Sequence, residues 1–166
     1  MDINFIVVAL AALVPLILGF VWYNQNVFGK AWMVETGMTQ EKGRAMNMFK
    51  VFGLTYLMAF FLAFSMLSIV IHQYGVFSLF IDEPDFNNPT SEAAIYFKDF
   101  MTRFGDHFRT FKHGSLHGTL AGIFLVTPII TVNALFEGRS FKYIAIISGF
   151  WTVCMGIMGG ILCAFN

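Results

Sequence analysis

The chain has 166 residues, of which 57% are hydrophobic and 12% are charged. Soluble domains carry about 25% charged and about 45–50% apolar residues, so this composition argues against a water-soluble enzyme and against a disordered chain. Ten Lys and Arg residues balance ten Asp and Glu residues. Without a cationic excess to hold phosphates, no nucleic-acid partner is expected. The composition therefore predicts a membrane protein, with the lipid bilayer as its first partner.

Four apolar runs are long enough to cross about 30 Å of hydrocarbon as helices, which takes about 20 residues. They are residues 3–23, 51–71, 116–136 and 143–165, and none contains Asp, Glu, Lys or Arg. Helices are required because open sheet edges are not satisfied in lipid. The prediction is an all-α integral membrane four-helix bundle that forms a single membrane domain over residues 1–166. Pro15 and Pro128 lie inside runs and predict two kinks.

An even number of spans places both termini on one face of the membrane. The opposite face then carries six basic residues, against four on the terminus side. Positively charged loops stay in the cytoplasm, so the termini are predicted to be periplasmic. The six are Lys30, Lys42, Arg44, Lys50, Arg139 and Lys142, and the four are Lys98, Arg103, Arg109 and Lys112.

The second loop, residues 82–115, is the one substantial extramembrane segment that the sequence predicts. It contains an amphipathic helical pattern with a period near 3.6 residues, which Gly105 could divide. The apolar face consists of Ala93, Phe97, Phe100, Phe104, Phe108 and Phe111, and the polar face of Lys98, Asp99, Thr102, Asp106 and Arg109. The phenylalanines either lie on the membrane or meet a partner, or they cover the end of the bundle, which is the favoured interpretation.

Glycines recur at four-residue spacing in the last two runs, where lipid supplies no hydrophobic drive for helix association and close backbone approach matters. They are Gly114, Gly118 and Gly122 in the third, and Gly156 and Gly160 in the fourth. Two interpretations are open: an interface between copies, or packing of the two helices within one chain. A turn of about six residues joins these helices, which favours the second.

The histidines are the candidate metal ligands. His113 and His117 are four residues apart, so they share a helix face and could bind one ion. His72 ends the second run, on the same face of the membrane as these two and His107, and Asp99 or Asp106 could complete or orient a site. The alternative, which the sequence favours, is that these imidazoles bond backbone or reach the interface. On that interpretation no cofactor is expected.

Motifs for catalysis are scarce. The sequence has no G-x-S-x-G, P-loop, H-E-x-x-H, C-x-x-C or G-x-G-x-x-G pattern, so no catalytic residue and no enzyme activity is predicted. Ionisable groups in mid-membrane, which usually mark coupled transporters, are absent from the four runs. Cys154 and Cys163 lie on one helix and are interpreted as small apolar packing residues.

Several short stretches resemble a known family. Residues 21–23 (Val-Trp-Tyr), 28–32 (Phe-Gly-Lys-Ala-Trp), 133–140 (Asn-Ala-Leu-Phe-Glu-Gly-Arg-Ser) and Met158-Gly159 are similar to the bacterial membrane family DUF1761, a domain of unknown function. The resemblance covers both membrane hairpins. It implies a small four-helix protein of a bacterial cytoplasmic membrane and supplies no activity.

Three functions follow as hypotheses. The first is a non-enzymatic accessory or scaffold subunit that packs with itself as a homo-oligomer or with another membrane protein in a larger complex. The second is an oligomeric pore or transporter for a small solute or ion. The third is a metal- or haem-binding membrane protein that uses His72, His113 and His117.

Overall fold

The computed structural model describes residues 2–166, and within this range the chain is helical with short connections and no strand. The all-α prediction is therefore confirmed. The helices are α1 Phe5–Ala11, α2 Val14–Trp22, α3 Gly29–Thr36, α4 Gln40–Ala45, α5 Met48–Val70, α6 His72–Phe80, α7 Glu92–Phe104, α8 Phe111–Ala121, α9 Thr127–Phe136 and α10 Phe141–Phe165, with a π-helical segment, Gly122–Val126, between α8 and α9.

Four helical stretches are long and apolar enough to cross a membrane, as the four runs predict. They are Phe5–Trp22, Met48–Val70, Phe111–Phe136 and Phe141–Phe165. The third begins five residues before its apolar run, because Thr110 caps it: the Thr110 side chain accepts a hydrogen bond from the His113 backbone N–H at 3.2 Å. Such a cap satisfies a donor that the first turn leaves free, so polar residues after Thr110 are helical.

The regular helix is interrupted near both prolines that lie in the apolar stretches. Ala12 and Leu13 separate α1 from α2, and Pro15 follows in the first turn of α2. A proline there has no N–H to donate to the carbonyl of Ala11. Before Pro128 the chain widens into the π-helical segment, whose Gly122 carbonyl accepts a hydrogen bond from the Thr127 hydroxyl at 2.9 Å.

Helix α10 occupies the centre of the molecule, and twelve of its 25 residues are buried. Met155, Met158 and Leu162 from α10 form the core together with Val8 from α1 and Met66 from α5. Its partner over the longest stretch is α8, which runs antiparallel to it.

Glycines allow α8 and α10 to approach until their backbones meet. A Cβ added to Gly114 would lie within 3.0 Å of the Gly159 carbonyl oxygen, and one added to Gly118 would clash with that of Met155. At Gly156 it would meet the Thr119 hydroxyl at 2.7 Å, and at Gly160 the Ser115 hydroxyl at 2.5 Å. At Gly122 it would lie 2.7 Å from the Cα of Thr152 in α10. The structure thus places all five glycines on a contact within the chain.

The second loop contains the amphipathic helix that the sequence predicts, here α7. The serine before it, Ser91, caps it by accepting a hydrogen bond from the Ala94 N–H at 3.2 Å, and the helix ends at Phe104, with Gly105 as its C-cap. Its Phe97 ring packs on α6, with ring centroids 5.8 Å from Phe77 and 5.7 Å from Phe80. Helix α6 itself was not predicted, and the phenylalanine face of α7 packs against it.

Candidate metal centre

Three histidines meet where α5 ends and α8 begins. His72 is the first residue of α6 and follows Ile71, where the chain leaves the α5 helix in an extended conformation. His113 and His117 lie on successive turns of α8. The Nε2 atoms of His72 and His113 are 2.9 Å apart, and one potential ligand nitrogen from each of the three rings lies within 4.8 Å of the others.

The spacing of the rings is close to that of a metal site. Ring centroids are 5.0 Å apart for His72 and His113, 4.8 Å for His72 and His117, and 4.5 Å for His113 and His117. Zinc–nitrogen bonds of about 2.0–2.1 Å place two tetrahedral ligand nitrogens about 3.3 Å apart. The 2.9 Å between the Nε2 atoms of His72 and His113 is near that distance, and the nitrogens of all three rings lie within 4.8 Å of one another.

The local sequence explains how α8 serves two contacts at once. Each ligand candidate is followed directly by a glycine, in the pairs His113-Gly114 and His117-Gly118. Successive residues on a helix are rotated by about 100°, so the glycines turn toward α10 while the histidines turn toward His72. The buried glycine face fixes α8 against the core, and the histidine face is thereby held in place.

Phe108 covers one side of the cluster from an unusual backbone conformation. Its φ is +63°, in the left-handed region that costs a bulky residue about 1–3 kcal/mol. The Phe108 ring stacks on His113 with centroids 4.9 Å apart and meets His72 edge-on at 6.5 Å. The Cys163 thiol donates to the Phe108 carbonyl at 3.3 Å. This segment is therefore held in the one arrangement that puts the ring against the histidines.

Buried polar contacts tie the same segment to the rest of the fold. Gln73, beside His72, is 5% exposed, and its Nε2 donates to the carbonyls of Phe104 at 3.1 Å and His107 at 2.9 Å. Arg109 donates through Nε to the Cys163 carbonyl at 3.0 Å and through Nη2 to the Asn166 carbonyl. These bonds connect α6, the turn before α8 and the end of α10.

The acidic residues that the sequence offered as further ligands lie elsewhere. Asp99 pairs with Arg103 at 3.1 Å on the exposed side of α7, and within residues 2–166 the close ligand group that includes His72 contains neither Asp99 nor Asp106. Because α7 ends at Phe104, Asp106 and His113 do not share one helix. Three imidazoles would thus leave a metal ion with an open coordination position, as in catalytic zinc sites.

A cavity of about 260 Å³ adjoins His72 and is lined by Gln73, Val76, His107 and three phenylalanines. Pockets that take drug-sized ligands have about 300–1,000 Å³. The cavity contacts His72 and neither His113 nor His117. The donor set, three imidazoles, suits a transition-metal ion.

Sequence reasoning identified the three histidines but not the residues that hold them in position, Gln73 and Phe108. Gln73 was not singled out, although a polar amide next to His72 at the end of an apolar run is a signal that it needs partners. Phe108 was assigned to the apolar face of a helical segment that Gly105 could divide, because no pattern in the sequence marks a left-handed phenylalanine.

The fold and the site together define a class: a small all-helical protein with four apolar helices of membrane-spanning length and three clustered histidines at one end. The family model described as Protein of unknown function (DUF1761) matches residues 6–163. The chain belongs to this family, which confirms the resemblance. No curated protein and no solved structure matches the chain significantly.

Proposed function

We propose that this chain is a multi-pass protein of a bacterial cytoplasmic membrane that binds one transition-metal ion through His72, His113 and His117. The observation that carries the proposal is the convergence of three imidazole nitrogens within 4.8 Å of one another. His113 and His117 lie 41 and 45 residues after His72 in the sequence. The sequence alone favoured imidazoles that bond backbone or reach the membrane interface.

The donor set limits the ion. Neutral imidazole nitrogens suit zinc, copper, iron and nickel, whereas magnesium and calcium prefer oxygen. His113 and His117 supply two donors from a rigid helix, and His72 closes the site from α6. The excess of basic residues on the opposite face favours a periplasmic location for the site, where it would meet metal ions that enter the periplasm.

The other two hypotheses have less support. An accessory or scaffold role was inferred from missing catalytic motifs, and it does not account for the three converging imidazoles. An oligomeric pore needs an interface between copies of the chain. The glycines that could form such an interface already make the contact between α8 and α10 within one chain.

Metal content tests the proposal directly. The full chain is purified in mild detergent without chelator, dialysed against zinc, copper, iron or nickel in turn, and assayed by elemental analysis and titration calorimetry. We expect about one ion per chain, loss of binding in His113→Ala with His117→Ala, and a melting temperature that falls when the ion is removed, since a ligand that binds only the folded state stabilises it.

His107→Ala is the matched control, because this histidine lies on the same face outside the cluster. It should retain the ion. Substoichiometric metal under every loading condition, or equal binding by the double variant and the wild type, would overturn the proposal.

A further inference from the structure

A second feature lies at the opposite end of the molecule, far along α5 from the histidines. It is a groove of about 840 Å³ between α2 and the first turns of α5, roofed by the segment that contains α3 and α4. Its deep wall is formed by Pro15, Gly19 and Thr55, and its outer end by Gln25, Gln40 and Arg44.

The groove extends into the apolar part of the protein. Pro15 is seven residues before Trp22, the end of α2, and Thr55 is seven residues after Met48, the start of α5. At 1.5 Å per helical residue, each wall reaches about 10 Å below the helix end. That depth takes the upper part of an acyl chain, and the volume lies within the 300–1,000 Å³ typical of a pocket for one small ligand.

Missing side chains keep this space open. A Cβ added at Gly19 or at Gly43 would meet no heavy atom within 4 Å, and both residues line the groove. The break at Ala12 and Leu13 adds to the opening, since α2 begins anew after it. The groove is therefore a built cavity between helices, and a side chain could fill it without displacing backbone.

Among the lining residues that the structure describes, the one charged side chain, Arg44, lies at the outer end with Gln25 and Gln40. Within residues 2–166 the ion pairs join Asp99 to Arg103, Glu137 to Arg139 and Glu35 to Lys142, so Arg44 has no carboxylate partner in the described chain. Trp32 and Tyr23 flank the same end, and such rings favour headgroup depth. An arginine guanidinium matches a phosphate with paired donors.

We propose that this groove binds one anionic phospholipid, with its phosphate on Arg44 and the upper part of one acyl chain between α2 and α5. The inference uses the membrane location proposed above and is independent of the metal. Anionic lipids are abundant in the cytoplasmic leaflet, which is the leaflet that this end faces in the proposed orientation.

Native mass spectrometry of the detergent-purified full chain tests this. The protein is titrated with an equimolar mixture of dioleoylphosphatidylglycerol and dioleoylphosphatidylcholine, and the bound lipid masses are counted. We expect one phosphatidylglycerol per chain, bound in preference to phosphatidylcholine. Arg44→Gln should weaken binding about tenfold, as loss of a charge-assisted hydrogen bond does, and should remove the preference.

Gly19→Leu should block the chain and abolish retention of either lipid, with Gly43→Leu as a second filling variant if the first is poorly folded. Gly53→Leu is the matched control: it also meets no atom within 4 Å but lies outside the groove. Equal binding of both lipids, or retention unchanged in Arg44→Gln and both filling variants, would overturn the proposal. A dimer that Gly19→Leu dissociates would also overturn it, because a second copy would then occupy the groove. Among residues 2–166, the groove shares no residue with the histidine cluster, so metal content should be unchanged in these variants, and the two proposals fail separately.

Discussion

At the scale of single residues, glycine has different structural roles at different positions of this chain. Gly118 lies where two backbones touch, Gly19 keeps a groove open, and Gly53 faces outward with free space around its Cα. The sequence marks all three only as glycines in apolar helices. Their effects on stability and binding are set by what lies across from them.

Replacing Gly118 with leucine should destabilise the fold, because the new side chain would enter the Met155 backbone. Overpacking of this kind costs about 1–3 kcal/mol or more. Gly160→Leu should behave likewise, since it meets Ser115 and the Phe111 ring. Thermal melting in detergent measures the loss.

Gly53→Leu is the control for both, and it should melt no lower than the wild type, because leucine favours helix over glycine. Equal melting temperatures for Gly118→Leu, Gly160→Leu and the wild type would contradict the close contact between α8 and α10.

Replacing Gln73 with leucine should remove a side-chain donor from two carbonyl oxygens, those of Phe104 and His107. The Phe104 carbonyl keeps the His107 N–H as a donor at 3.0 Å, so the loss falls on the His107 carbonyl, and a buried polar group left without a partner costs about 1–3 kcal/mol. We expect a lower melting temperature and weaker metal binding, since the turn that carries Phe108 would loosen beside His72. Gln25→Leu, an exposed amide elsewhere, should change neither quantity. Metal affinity equal to wild type in a destabilised Gln73→Leu protein would show that the turn does not support the site.

At the scale of helices, apolar length predicted the four long elements well, because about 20 residues without charge can serve little else. Their ends were harder to predict. The third apolar run begins at residue 116, yet the helix begins at Phe111, directly after the Thr110 cap. Helix α6 was missed because His72–Phe80 mixes polar and apolar residues without a clear period, and its stability comes from packing against Phe97.

Thr110→Ala tests the link between a helix cap and the site. Loss of a threonine cap costs about 0.5–2 kcal/mol, and here it should fray the turn that carries His113. Both the melting temperature and metal affinity should fall. Ser91→Ala removes the corresponding cap of α7 and should affect stability alone. If the two variants bind metal equally well, the first turn of α8 does not position His113.

At the scale of the whole molecule, topology predicted that the histidines share one end, and side-chain geometry then decided whether they meet. No periodicity in the sequence states that the chain turns at Ile71 so as to aim His72 at α8. The groove was also beyond prediction, since its walls come from α2, α5 and α10, and only their packing leaves the space.

Orientation is testable on the intact chain. A reporter fused after Asn166 should be active in the periplasm, and one inserted near Glu41 in the cytoplasm, because the Glu41 side carries six basic residues against four. Replacing Lys30 and Lys42 with alanine should reduce the preference for this orientation. A cytoplasmic signal at Asn166 would reverse the orientation, and a cytoplasmic signal at both sites would contradict an even number of spans.

The repeated glycines between α8 and α10 do not by themselves determine the register of the two helices. Glycines recur at 114, 118 and 122 on one helix and at 156 and 160 on the other, so a slide of one helical turn, about 5.4 Å, sets glycine opposite backbone once more. Smooth surfaces of this kind do not by themselves select a position. The residues that do are unrepeated: Arg109 and Phe108 hold the Cys163 turn of α10. Because His113 and His117 belong to α8, these contacts determine the position of both imidazoles along the helix axis relative to His72.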